Sequence, residues 1–221
     1  MPAMSDLRQG IRAGLPLVLP TLAIGVSFGV LAEPVMGAAA AIVMSLVVFA
    51  GSAQFAALSV LAAGGTAAAA IAAGLLMNAR FLPMGIAAAS ATRGGRLRRA
   101  AEGQAVVDAS WAMASDGRGG FDRAVLLGGA IPQAAGWWGG TIIGAVGGTV
   151  LGDPKALGLD AMFPAFYLAL LVNELRHGHA IVAAVLAAAI ALVLVPFVPP
   201  GVPVVSAALA ALTGVLRRSR A

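Results

Sequence analysis

The chain has 221 residues, 60% of them apolar and 10% charged, with a net charge of +5. That composition leaves too little polar material to coat a soluble domain, and the length leaves no room for a separate nucleotide-binding domain. The absence of cysteine excludes disulfides, thiolate metal sites and a cysteine nucleophile, and no G-x-x-x-x-G-K-[ST] run is present to support ATP hydrolysis.

Residues 13–32, 34–79, 124–152 and 180–216 contain no Asp, Glu, Lys or Arg. The second run covers 46 residues, well beyond the roughly 20 that one membrane-crossing helix needs. The apolar residues are continuous instead of alternating, and Ala and Leu dominate, which predicts helices and not barrel strands. A first span is expected over 15–31, too closely followed by another to read as a cleaved signal peptide. Glu33 and Pro34 are expected to turn the chain into a second span, 35–62, long enough to be either tilted or broken at Gly51-Ser52-Ala53-Gln54. Gly64-Gly65 makes the next turn, and the third span, 66–89, carries Asn78, Arg80 and Pro83. A basic loop, 93–99, precedes an amphipathic helix over 101–113 and a turn-rich joint over 115–120. Further spans are expected over 124–150, 157–172, 181–198 and 202–216.

The reading is an all-α polytopic membrane protein in a single transmembrane domain, 1–221, of about seven transmembrane helices, with six as the alternative if the N-terminal segment does not span. Its halves are 1–92 and 121–221, joined by a cytoplasmic basic loop and amphipathic helix over 93–120. The arginines at 93–99 and 217–220 are topology signals, placing that loop and the C-terminus in the cytoplasm and, with three preceding spans, the N-terminus outside. They are not read as a nucleic-acid surface. The halves echo one another: Phe49, Gly51, Ser52 and Phe55 against Phe163, Pro164 and Phe166, and Asn78 to Arg80 against 173–176. An inverted repeat with broken helices would produce this, as in many secondary transporters, and shared composition would produce it too.

An arginine inside an apolar span costs roughly 2.5–3.5 kcal/mol even on the lowest insertion scale, so Arg80 either snorkels to the headgroups or serves a cavity or partner. The functional alternative has Arg80 and Asn78 donating to a substrate carboxylate, or Arg80 pairing with an acid such as Asp160. Asp160 stands four residues before Pro164, whose missing N–H can mark a discontinuous helix; it is either a helix cap or a proton- or cation-coupling acid. Asp108 is a second coupling candidate. Ser52 and Gln54 place polar groups at mid-span beside Gly51, either to bond neighbouring helices or to bind a ligand. His177 and His179 lack neighbours that would complete a metal site, no cofactor motif is present, and no Ser-His-Asp order, paired carboxylate set or HExxH sequence points to an enzyme. The spacing Gly136, Gly140, Gly144, Gly148 provides a small-residue face for close helix packing, within this chain or against a partner.

The run Phe49-Ala50-Gly51-Ser52-Ala53-Gln54-Phe55, followed by Asn78-Ala79-Arg80-Phe81, closely resembles the AzlC family of branched-chain amino acid permeases. Ser27-Phe28-Gly29, Asp108 to Ala112, Trp138 to Thr141 and Gly158-Leu159-Asp160 leading into Phe163-Pro164 extend the resemblance over nearly the whole chain, although Ala109 stands where the family often has Glu. The resemblance implies the large subunit of a two-component exporter in the bacterial inner membrane, partnered by a small hydrophobic AzlD-type subunit. It implies export of leucine, isoleucine, valine and methionine. The expected substrate site comprises Gly51, Ser52, Gln54, Phe55, Asn78, Arg80, Phe163 and Pro164, with proton coupling through Asp160 or Asp108. A membrane scaffold without transport is the alternative.

Overall fold

The computed structural model describes residues 4–116, 120–148, 158, 161, 165, 168, 171–172, 175, 178–198 and 202–207. Every element named is helical; an isolated antiparallel bridge between Ser115 and Phe121 closes the turn before the long central helix. The helices are α1 (Met4–Gly14), α2 (Val18–Met36), α3 (Ala38–Val48), α4 (Gly51–Ala62), α5 (Ala67–Asn78), α6 (Phe81–Ala87), α7 (Arg96–Gly103), α8 (Asp108–Ala114), α9 (Arg123–Gly147), α10 (Gly178–Leu194) and α11 (Val202–Ala207). Two short 3₁₀ turns, Leu15–Leu17 and Ala88–Ala91, join α1 to α2 and extend α6.

Among the described residues two helical stretches are long and apolar enough to cross a membrane, Leu7–Met36 and Ala67–Ala91. This corrects the expectation of six or seven crossings. Apolar content marks what the chain avoids, namely water, but backbone breaks decide how far each helix runs. Gly37, at φ 81°, ends α2, so Glu33 and Pro34 lie inside that helix and not at its turn. Phe49 and Ala50 then separate α3 from α4, and Gly64, at φ 81°, closes α4. The expected second span thus becomes helices of 11 and 12 residues. At 1.5 Å per residue each is about 16–18 Å long, roughly half of a 30 Å hydrocarbon core. The amphipathic segment likewise divides into α7 and α8 instead of forming one helix. Residues 157–172 and the C-terminal arginines lie outside the described residues, apart from the isolated positions given above.

Large apolar side chains remain exposed along these helices, with Leu19 75%, Ile86 77% and Leu192 74% accessible. Lipid-facing helices must display apolar side chains in this way.

The chain forms two compact units. One comprises Met1–Gly51 with Asn78–Ala156, the other Ser52–Met77 with Leu157–Ala221. In the first, α1 and α2 run along α9 in parallel. Gly10 and Gly14 meet residues 124–129, Gly25 meets Trp137 and Gly140, and Gly29 meets Thr141 and Gly144. A Cβ on Gly140 or Gly144 would overlap the carbonyls of Leu22 or Val26. The glycine spacing on α9 therefore serves packing within this chain. Aromatic and polar contacts lock the same seam: Phe28 stacks on Trp137 at 5.9 Å, and Ser45 Oγ and Thr141 Oγ1 share a hydrogen bond of 3.0 Å. A smaller cluster around Leu126, Ala130, Ala114 and Val106 is closed by Trp111, whose Nε1 donates to the Met84 carbonyl at 3.1 Å. In the second unit α4 is buried on almost every side, a Cβ added to Gly74 of α5 would lie 3.5 Å from the Ala53 carbonyl, and α10 contacts α11.

Candidate functional site

The first unit contains two interruptions of helical backbone, and a cavity of about 540 Å³ lies between them. At the first, Phe49 caps α3 with φ 38° and ψ 46°, a left-handed conformation that is uncommon for a bulky residue. Its ring packs on Trp138 at 5.9 Å, and Trp138 Nε1 donates to the Ser45 carbonyl at 3.1 Å, so surrounding contacts hold the break in place. At the second, Asn78 ends α5, and two turn residues precede α6. Phe49, Phe81, Val106 and Val107 supply apolar wall; Asn78, Thr92, Arg99 and Gln104 supply the polar groups. The volume falls within the range of small-molecule sites, about 300–1,000 Å³. A more apolar cavity of about 330 Å³ shares Phe49 and Gln104 with it and reaches Ile131 and Trp138.

Asn78 Oδ1 is buried and has no hydrogen-bond donor among the described residues. Arg80 forms an ion pair with Asp108 at 2.9 Å and lies over the Phe81 ring at 5.2 Å. The sequence offered Asp160 as an example of an acid for Arg80; Asp160 lies outside the described residues, and among them Arg80 pairs with Asp108. Both members adjoin cavity-lining residues in sequence, Arg80 preceding Phe81 and Asp108 following Val107. Gly51 sits against the Trp137 ring, where an added Cβ would come within 2.9 Å of the indole.

The first unit thus contains Gly51, Asn78, Arg80 and Asp108, of which Arg80 and Asp108 are in contact and Asn78 lines the cavity. Ser52, Gln54 and Phe55 are 2%, 0% and 1% exposed on α4 of the second unit. Asp160, Phe163 and Pro164 lie outside the described residues. Arg99 and Gln104 were missed as site residues, because an arginine in a run of four between apolar segments carries the same signal whether it marks topology or lines a pocket.

Glu102 explains why neighbouring arginines have different roles. Its buried carboxylate accepts from Arg98 Nε at 3.0 Å, the Arg93 backbone N–H at 3.0 Å and Arg123 Nε at 3.1 Å, with a second, short bond from Arg123 Nη2. The Arg123 hydrogen bonds lower the carboxyl from 4.5 to about 2, outweighing burial, which acts to raise it; Arg93 and Arg98 reinforce the lowering. Arg98 is thereby fixed to Glu102, while Arg99 lines the cavity. Among the described residues no group of three His, Asp or Glu is placed to hold a metal ion.

Residues 16–151 match the family described as AzlC protein. That segment contains every residue lining the cavity, which runs from Val48 to Val107. No curated protein and no solved structure matches the chain.

Proposed function

The chain belongs to the AzlC family, and from that premise we propose that it is the large subunit of a secondary exporter of branched-chain amino acids. Family membership and the exposed apolar helices support a membrane location and a transport-related role. The observation that carries the finer reading is the 540 Å³ cavity between two helix breaks, with apolar walls and a buried acceptor on Asn78 that has no donor among the described residues. Breaks in helices expose backbone and polar groups at membrane depth only where they line a cavity, as in transporters that bind substrate at discontinuous helices.

In this reading leucine, isoleucine, valine or methionine enters the cavity with its side chain against Phe49, Phe81, Val106 and Val107. Asn78 contacts the polar end. Coupling to protons runs through Asp108, tied to Arg80 at rest, or through Asp160. Gly51, which lies in the same unit as the cavity, extends the proposed substrate path. The partner is a small AzlD-type hydrophobic subunit, and the location is the bacterial inner membrane.

The test is efflux of preloaded radiolabelled leucine from vesicles holding this chain alone or with the small partner, with and without a proton gradient. Gradient-dependent efflux from the complete complex, at least tenfold above empty vesicles, is expected. A folded complex that moves no leucine under any gradient would reject export of this substrate and favour a scaffold.

A further inference from the structure

Arg80 is the conspicuous cation of the apolar runs, but it already has an acid partner. Its guanidinium is already paired with Asp108 at 2.9 Å, so an incoming carboxylate would have to displace an acid that neutralises it. Arg99 has no such commitment. It lines the 540 Å³ cavity, and its side chain makes a single donation, from Nη2 to the Ala89 carbonyl at 3.3 Å, among the described residues. Ala89 lines the same cavity and is a neutral acceptor. A guanidinium has five N–H donors in a planar fork suited to a carboxylate. Gln104 adds a carboxamide to the same wall.

Asn78 has the complementary deficiency. Its Oδ1 is buried without a donor among the described residues, a costly condition that calls for an explanation. A ligand N–H reaching the carboxamide, after rotation of the side chain into the cavity, would supply the missing bond. The remaining wall of Phe49, Phe81, Val106 and Val107 has no group to pair with a third charge.

We infer that Arg99 is the anion-binding group of this cavity and Asn78 its ammonium acceptor, so that these two residues set its preference for a zwitterion. The inference rests on the export reading above and assigns the two poles of its site. Such a site favours a molecule that carries both charges, because each charge then gains a partner, and disfavours acidic or basic side chains, which bring an uncompensated charge.

The experiment measures inhibition of leucine efflux from vesicles containing the chain and its small partner. The competitors are unlabelled leucine, 4-methylpentanoate, which lacks the ammonium, and 3-methylbutylamine, which lacks the carboxylate. Each truncated competitor is expected to inhibit at least tenfold more weakly than leucine. Arg99→Gln is expected to raise the KM for leucine at least tenfold and to shrink the preference for leucine over 3-methylbutylamine, with Arg99→Lys intermediate. Asn78→Leu is expected to shrink the preference over 4-methylpentanoate instead. A loss of rate with both preferences unchanged would mean that these residues only support the fold, and would overturn the inference. A preference that moves with Arg80→Gln and not with Arg99→Gln would overturn it in favour of Arg80. If the unaltered complex moves leucine but ignores Arg99 and Asn78, the inference alone fails; if it moves no leucine, the export reading fails and this inference with it.

Discussion

Gly140→Leu is expected to destabilise the chain by about 3 kcal/mol or more, the upper part of the range for overpacked sites. At most overpacked positions a side chain swings aside. Here the obstruction is main chain: a Cβ on Gly140 would overlap the Leu22 carbonyl and approach the Val26 nitrogen to 2.9 Å. The whole of α2 would have to retreat from α9, loosening the matching contacts of Gly25, Gly29 and Gly144. The neighbouring Gly139 provides the control, since a Cβ there would meet nothing within 4 Å. Gly139→Ala should be neutral or stabilising by up to about 1 kcal/mol through helix propensity. Thermal unfolding of the purified protein in detergent should show a midpoint lowered by roughly 10 °C for Gly140→Leu alone, using the soluble-domain scale. Equal midpoints for the two variants would mean that α2 and α9 do not pack through this seam.

Removing the Glu102 carboxylate is expected to be about as costly. Glu102→Gln leaves Arg123, only 11% exposed, without its counter-ion at the start of α9, and breaking a buried pair in this way costs about 3–5 kcal/mol. The pH dependence has a definite sign. The folded carboxyl is lowered from 4.5 to about 2, so the folded state binds fewer protons in that interval than the unfolded state. The stabilisation is fully present above about pH 4.5 and is lost as pH falls toward 2. A shift of this size corresponds to about 3 kcal/mol. The unfolding midpoint of the unaltered chain should therefore fall more steeply between those pH values than that of Glu102→Gln. Parallel curves would show that Glu102 does not carry this linkage.

The lipid-like character of the chain was legible in its long uncharged runs, and the family resemblance in Phe49 to Phe55 with Asn78 to Phe81 anticipated the matched segment. The number of crossings was not. Hydropathy reports transfer from water and is nearly blind to a single glycine at φ 81° or a phenylalanine at φ 38°, and these residues divide one 46-residue uncharged run into short helices. Asn78 and Arg80 stood out because polar groups in an apolar run are costly. Their surroundings did not, because Asp108 lies 28 positions beyond Arg80 and only the fold brings them together. The glycine face on α9 was readable, whereas its partner face on α2 emerged from the pairing of Gly25 and Gly29 with it. Arg99 became distinguishable from Arg98 only once Glu102 was seen to hold one and not the other.

The central claim is that the cavity beside Asn78 holds the transported amino acid, and Gly85 offers direct access to it. Gly85 lines the cavity, and a Cβ built there meets nothing within 4 Å, so Gly85→Phe should occupy the space without straining the helix. The measurement is the rise in unfolding midpoint of the purified complex with increasing leucine, compared between the unaltered chain and Gly85→Phe. A rise in the unaltered complex that disappears in Gly85→Phe, while the leucine-free midpoint stays unchanged, is the predicted result. The same leucine-dependent rise in both proteins would place the ligand elsewhere and contradict the account.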